Sequence, residues 1–183
     1  MQKRYTIPKP PHGSQEWLDI RWQNEQFLKR ITASIAAAVH GENKFVTPED
    51  LAAELLAKTP PVPKEQNDAM LRGTLMEPVV AHMASLHLNV TITEPQELFC
   101  YEEDGVRLMA TMDGKDLSGN FYEIKTTNKR WDGKLPRSWY WQGVQQAICT
   151  DATEIIWAIM DSTFQINYYT QVVTSDERQQ HID

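Results

Sequence analysis

MATMDGKDLSGNFYEIK, residues 109–125, decides how this chain is to be read. Its last part alternates as a strand does. Phe121, Glu123 and Lys125 point to one face, and Tyr122, Ile124 and Thr126 to the other. Aromatic and β-branched residues favour the extended form, and Ser118-Gly119 marks a turn just before it. VRLMATM (106–112) reads as a preceding strand and GKDLSGN (114–120) as the connection. Such a hairpin folds Asp113 back alongside the beginning of the strand that carries Glu123. An acid and an amine on one face of an apolar strand have two readings. One is an ion pair on a wet sheet surface, worth under about 1 kcal/mol. The other is a site for a hard divalent cation such as Mg2+, with Asp113 and Glu123 supplying carboxylate oxygens. Such an ion stabilises charge on a phosphoryl group, and the Lys125 ammonium beside it orients water or neutralises developing charge.

Outward from this hairpin, the pattern on the N-terminal side is helical. Ser14 caps QEWLDIRWQN (15–24), whose Trp17 and Ile20 face the core. ITASIAAAVHG (31–41) reads as a small-residue helix ending at Gly41. Thr47 caps a third helix with Pro48 in its first position and Leu51, Leu55 and Leu56 as its apolar stripe. TPPVP (59–63) stops it. A longer helix runs from about residue 65 to 87, with Met70, Leu71, Leu75, Val79, Met83 and Leu86 in helical period and an interruption at Gly73, Glu77 and Pro78. Beyond it the period becomes two. NVTIT (89–93), ELFCY (97–101), VRLMATM and NFYEIKT read as strands, PRSWYWQGVQQAICT (136–150) as a helix, and TEIIWAIMD (153–161) and FQINYYTQVV (164–173) as closing strands. This order predicts an α+β fold with a mixed central β-sheet flanked by helices, not a repeating βαβ array. Residues 1–13 read as an extended N-terminal arm, and 14–183 as a single domain.

Composition narrows the class. The longest apolar run, IIWAIM (155–160), is too short to span a membrane. Cys100 and Cys149 have no CxxC spacing, which argues against a zinc ribbon and fits a reducing cytoplasm. Two cysteines also rule out a four-thiolate iron–sulfur cluster. Net charge is −7, which by itself opposes generic nucleic-acid binding. Its distribution is uneven. Between Lys125 and Arg137, five bases (Lys125, Lys129, Arg130, Lys134, Arg137) face one acid, Asp132, so a basic strip follows the strand on an acidic body.

Three further features accompany the hairpin. Glu77 lies four residues after Gly73, on one helix face, where a missing side chain lets a backbone or ligand approach. Gln142, Gln145 and Gln146 share a face of the late helix, either as ligands to phosphate or water or as a plain wet surface. Arg21 and Ser34 combine an arginine fork with a hydroxyl, a pairing that suits phosphate.

With these in order, the chain resembles the phage-type exonucleases of the lambda exonuclease and YqaJ family, within the PD-(D/E)xK nuclease superfamily. The segments that carry the resemblance are EWLDIR with ITAS, RGTLMEPVVAHMASLHLNVTITEPQELFCY, VRLMATMDGKDLSGNFYEIKTT and YWQGVQQAI, spanning about residues 14–150. The resemblance implies a Mg2+-dependent deoxyribonuclease, with Mn2+ as a substitute. On this likeness Asp113, Glu123 and the Ile124 carbonyl hold the ion, Glu77 completes the acidic cluster, and Lys125 positions the attacking water. A late-helix glutamine assists: Gln142 is preferred, with Gln145 and Gln146 as alternatives. Arg21 and Ser34 hold a 5′-phosphate, and Lys129, Arg130 and Arg137 grip backbone phosphates. The implied reaction runs 5′-to-3′ from double-stranded DNA ends and leaves 3′ single strands for phage-type homologous recombination. The implied partner is a single-strand annealing protein, the assembly a ring trimer, and the setting the bacterial cytoplasm. An endonuclease on the same fold and an inactive DNA-binding module are the rival readings. Longer relatives carry a C-terminal helix, and this chain is expected to stop short of it.

Overall fold

The computed structural model describes residues 2–11, 14–22, 30–57 and 67–183, and the side chains at positions 18, 21 and 22 lie outside that description. Within it, eight strands form two four-stranded mixed sheets. The first contains β1 (Lys3–Pro8), β2 (Ile31–Thr32), β3 (Glu97–Glu103) and β4 (Val106–Ala110), in the order β1-β3-β4-β2. The second contains β5 (Gly114–Lys115), β6 (Phe121–Thr126), β7 (Glu154–Met160) and β8 (Ile166–Val172), in chain order. β6 and β7 are parallel, which requires a long crossover between them. Helix α5 (Arg137–Thr150) provides it. Its Trp141, Val144, Ala147 and Ile148 share one core with Phe99 and Tyr101 of β3, Leu108 of β4, Phe121 of β6 and Ile155, Trp157 and Ile159 of β7. One helix therefore covers both sheets.

The opening stretch folds differently from a simple hairpin of two long strands. β4 ends at Ala110 and pairs with β3 across a two-residue Asp104-Gly105 turn, with both residues at positive φ. The chain then crosses to the second sheet through 111–113. Only Gly114 and Lys115 pair with β6, opposite Tyr122 and Phe121. NVTIT forms no strand, contributing a single bridge from Thr93 to Lys115. The M-D-G glycine has a steric reason: a Cβ on Gly114 would lie 2.3 Å from Ile92 Cγ2, so no larger residue fits beside that side chain.

The helices around the sheets follow their caps. Ser14 Oγ accepts the Trp17 N–H at 3.1 Å at the start of α1 (Gln15–Trp22), and Trp17 and Ile20 pack on Leu98, Cys100 and Met109. ITASIAAAVHG is strand β2, a 3-10 turn over Ala33–Ile35, and the short α2 (Ala36–Val39), ending at Gly41 with φ +66°. Thr47 and Asp50 form a capping box on α3 (Pro48–Leu56), which buries Leu51 but leaves Leu56 exposed. TPPVP lies outside the described residues.

Asn67 caps α4 (Asp68–Leu88), which runs unbroken through Pro78. Its core face is Met76, Val80 and Ala84, at i, i+4 and i+8, against Ile124, Ala158 and Met160. Met70, Leu71, Leu75, Val79 and Leu86 are exposed, so the apolar period reads the helix correctly but the buried face incorrectly. Two segments differ from expectation at the termini. Residues 3–8 pair along β3 as an edge strand, and a helix α6 (Ser175–Ile182) follows β8. That helix had a legible start, the T-x-x-E capping box of Thr174 and Glu177.

Candidate active site

The β5–β6 register places Asp113 opposite Glu123, one step beyond the Gly114–Tyr122 pair. Asp113 Oδ2 accepts the Ile124 N–H at 2.8 Å. Glu123 faces α5, and its side chain is 3% exposed. Its Oε1 accepts from Lys125 Nζ at 2.5 Å and from Gln142 Nε2, and its Oε2 accepts from Gln146 Nε2 at 2.5 Å. Gln142 and Gln146 are one helical turn apart, so both amides reach the same carboxylate. Gln146 also donates to the Thr111 carbonyl at 3.1 Å, which ties the crossover into the second sheet to the same helix.

The electrostatics reflect crowding. Burial and the Glu123 charge push Asp113 well above the usual carboxylate range. Glu77, on α4, is raised by burial and by the same Glu123 charge. For Lys125 burial favours the neutral amine, but the charges of Glu123 and Asp113 outweigh it and hold the ammonium above its ordinary value. Glu77, Asp113, Glu123 and Lys125 thus share one electrostatic neighbourhood drawn from α4, the crossover and β6. Among the described residues, no three His, Cys, Asp or Glu side chains already stand as a metal-ligating group. Both Glu123 oxygens are met by an ammonium and two amides. Gln146 Oε1 is buried with no hydrogen-bond partner among the described residues. Such an acceptor costs about 1–3 kcal/mol unless a donor such as water meets it. Excess carboxylate charge beside an unmet acceptor fits a hydrated cation, since Mg2+ keeps several of its waters.

The glutamine face divides into two jobs. Gln145 turns away from Glu123. Its Nε2 donates to the carbonyls of Ile31 (2.8 Å) and Met109 (3.0 Å), and its Oε1 accepts from His181 Nε2 at 3.0 Å. These partners set the tautomers. With Nε2 of His181 donating, its Nδ1 accepts from His40 Nε2–H at 2.8 Å. His40 in turn stacks on Trp141, centroids 3.5 Å apart. A buried polar chain therefore joins α2, α6, α5, β2 and β4.

The phosphate-binding candidates are dispersed. Ser34 is exposed in the turn that packs on α5, with its hydroxyl 3.3 Å from that of Thr32. The Arg21 backbone belongs to α1, and its side chain lies outside the described residues. Lys129 and Arg130 are exposed on the loop after β6. Arg137 does not share their freedom: both its Nε and Nη2 donate to Glu42, and its guanidinium lies over Tyr140 and Trp141. Sequence proximity grouped it with the basic strip, but a helix turn and an acid from α2's following loop claim it.

Two mixed sheets covered by one helix make an α+β fold that sets Asp113 against the strand carrying Glu123, Ile124 and Lys125. The chain belongs to the YqaJ-like viral recombinase domain family, whose model matches residues 16–153. No curated protein matches it in sequence. Solved structures do match in fold. The alkaline exonuclease of Laribacter hongkongensis superposes with a TM-score of 0.69 at 23% identity, over 92% of this chain and 89% of its own. The same enzyme in complex with dAMP gives a TM-score of 0.72 at 22% identity, over 92% and 87%. A phage-related exonuclease from Haemophilus somnus 129PT gives 0.62 at 10% identity, over 85% and 91%. No helix among the described residues is long and apolar enough to cross a membrane.

Proposed function

We propose that this protein is a Mg2+-dependent DNA exonuclease of phage-type recombination. It degrades linear double-stranded DNA from the 5′ end and leaves a 3′ single strand. The observation that carries the reading is the pairing of Asp113 with the peptide between Glu123 and Lys125, which brings two acids and an ammonium to one point. The family, and a fold shared with two solved exonucleases, support it.

Asp113, Glu123 and the Ile124 carbonyl are the groups that would hold the ion, with Glu77 joining directly or through water. Bound there, Mg2+ lowers the pKa of a ligated water and stabilises charge on the phosphoryl group. The remaining steps belong to the chain. Gln142 and Gln146 hold the Glu123 carboxylate in one orientation, so no reorganisation is needed at the moment of reaction. With Glu123 staying in place for the ion, Lys125, kept cationic by its two acids, would orient the water that attacks the scissile phosphate. Its charge also offsets the negative charge that develops there. Lys129 and Arg130 bind backbone phosphates, and Arg21 with Ser34 takes the terminal 5′-phosphate. Phosphate contacts carry no sequence information, so none is expected in cleavage. The same reading makes a single-strand annealing protein the partner that receives the 3′ strand, a ring of three subunits the working assembly, and the bacterial cytoplasm the setting.

The test is digestion of a linear duplex with and without a 5′-phosphate in Mg2+, beside a covalently closed circle. Faster loss of the phosphorylated end, no cleavage of the circle, and at least about 100-fold loss in Lys125→Ala are expected. Unchanged nucleolysis in Lys125→Ala would falsify the catalytic assignment. Cleavage of the circle would make the enzyme an endonuclease.

A further inference from the structure

The turn after β7 presents a strained and exposed aromatic ring. Phe164 has φ +60° and is 74% exposed. Among the described residues, the other non-glycine positions at positive φ are Asn89, Asp104 and Asp151, types that tolerate that conformation. A phenylalanine there is an outlier, and the ring buries little in return. Glycine or asparagine would make the same turn without that conflict.

The turn is firmly built. The buried Asp161 accepts the Thr163 N–H at 2.8 Å, its hydroxyl at 2.6 Å, and the Trp131 N–H at 3.2 Å. Ser162 N–H donates to the Lys129 carbonyl at 3.2 Å. Trp131 stacks on Trp139, centroids 6.3 Å apart, and Trp139 stacks on the buried Trp157 at 6.1 Å. Turn 161–165 and loop 127–131 are thus one piece, backed by an aromatic column. It carries two exposed cations, Lys129 and Arg130, and neither forms a salt bridge among the described residues. Because β6 and β7 are parallel, this piece lies beyond their C-terminal ends, the end that carries Lys125. Lys129 follows Glu123 by six residues, a reach of at most about 20 Å.

An unpaired nucleotide offers an apolar π-face next to a phosphate. An exposed aromatic ring with cations beside it binds that combination without reading sequence. We propose that Phe164, Lys129 and Arg130 form a rest for an unpaired DNA strand, with the ring stacking on a base and the cations meeting the flanking phosphates. This rests on the reading of the protein as a DNA-processing enzyme and adds to it the path of a single strand leaving or entering the site. A rigid exposed ring also suits a protein partner, but the two cations favour a polyanion.

Phe164→Gly separates these possibilities, because it removes the ring and relieves the backbone together. The melting temperature is expected to rise. Affinity for a fluorescently labelled thymidine oligonucleotide, read by anisotropy in EDTA, is expected to fall by about five- to a hundredfold, the value of one stacked base. Phe164→Trp keeps a π-face and is expected to retain the binding. Unchanged affinity in Phe164→Gly overturns the proposal and leaves the ring to a protein partner. Duplex digestion by the wild-type protein, run alongside, distinguishes the two readings. If it digests DNA while Phe164→Gly binds normally, only the strand rest is lost. If it digests nothing while binding still depends on Phe164, the strand rest stands and the nuclease reading falls.

Discussion

Asp113 Oδ2 accepts the backbone N–H of Ile124 at 2.8 Å, on the residue between Glu123 and Lys125. One hydrogen bond thereby registers the crossover from the first sheet against the strand that carries Glu123 and Lys125. It also explains why only two residues of β5 are needed: the carboxylate continues the pairing where the backbone stops. In Asp113→Asn the amide oxygen still accepts that bond, but the charge crowded by Glu123 is gone. Mg2+-dependent nuclease activity is expected to fall by at least about 100-fold, with a melting temperature equal to or above wild type. A variant with normal turnover would remove Asp113 from the site.

Neighbouring glutamines are expected to fail in different assays. Gln145→Leu leaves the Ile31 and Met109 carbonyls and the His181 N–H without their partner. Each such group costs about 1–3 kcal/mol, so a loss of stability of at least about 2 kcal/mol is expected. Gln146→Leu frees one oxygen of Glu123 and the Thr111 carbonyl, fewer groups than Gln145→Leu, so a smaller stability loss is expected. It is expected also to lower kcat by about tenfold, roughly 1.4 kcal/mol. Thermal melts and steady-state rates on the two variants decide whether the jobs are divided this way.

Stability should decline on mild acidification through His181. Burial pushes its pKa down to about 4, from an ordinary value near 6.5. Between those values the unfolded chain binds a proton that the folded one refuses, so stability is full above pH 6.5 and is lost as pH falls toward 4. His40, also lowered by burial, adds to the same slope. Melting temperatures between pH 7.5 and pH 5 are expected to fall more steeply in the wild type than in His181→Gln. Parallel slopes would mean the histidine pair is not the source.

Gly143 is where α5 touches the second sheet. A Cβ there would lie 2.1 Å from Gln171 Oε1 and 2.9 Å from Trp157 Cζ2. Gln171 is not free to yield, since it accepts from Trp157 Nε1 at 3.1 Å and donates to the Tyr140 carbonyl at 2.9 Å. In Gly143→Ala the helix gains about 1 kcal/mol in propensity, while overpacking costs about 1–3 kcal/mol. A net loss of stability is expected, and activity should fall with it, because Gln142 and Gln146 ride on the displaced helix. Gly143→Ala combined with Gln171→Ala is expected to recover part of both, measured by melting and by rate.

Much of the site was legible because its residues are close in sequence or locally periodic. Asp113, Glu123 and Lys125 lie within one turn and one strand, and side-chain alternation alone assigns Glu123 and Lys125 to a common face. Glycine and cap signals behaved likewise: Thr47 with Pro48, Ser14 and Gly41 each act where local chemistry placed them. Helix α6 was missed: the Thr174 capping box marks its start, but its polar surface carries no apolar period to announce it.

What the sequence determined by itself is therefore the local chemistry: which strand carries the acid and the amine, where helices begin, and which family motif they compose. What only the tertiary structure decided is which distant partners each group meets. Helical spacing could not tell Gln142 and Gln146, which hold Glu123, from Gln145, which holds two backbone carbonyls and a histidine from α6. It could not pair Arg137 with Glu42, which lies 95 residues away. Nor could it choose Val80 and Ala84 over Leu75 and Val79 as the buried face of α4. The physical reason is common to all three. Periodicity fixes the angles between side chains on one element, whereas burial and pairing depend on the orientation of that element against others, and packing across the whole chain sets that orientation.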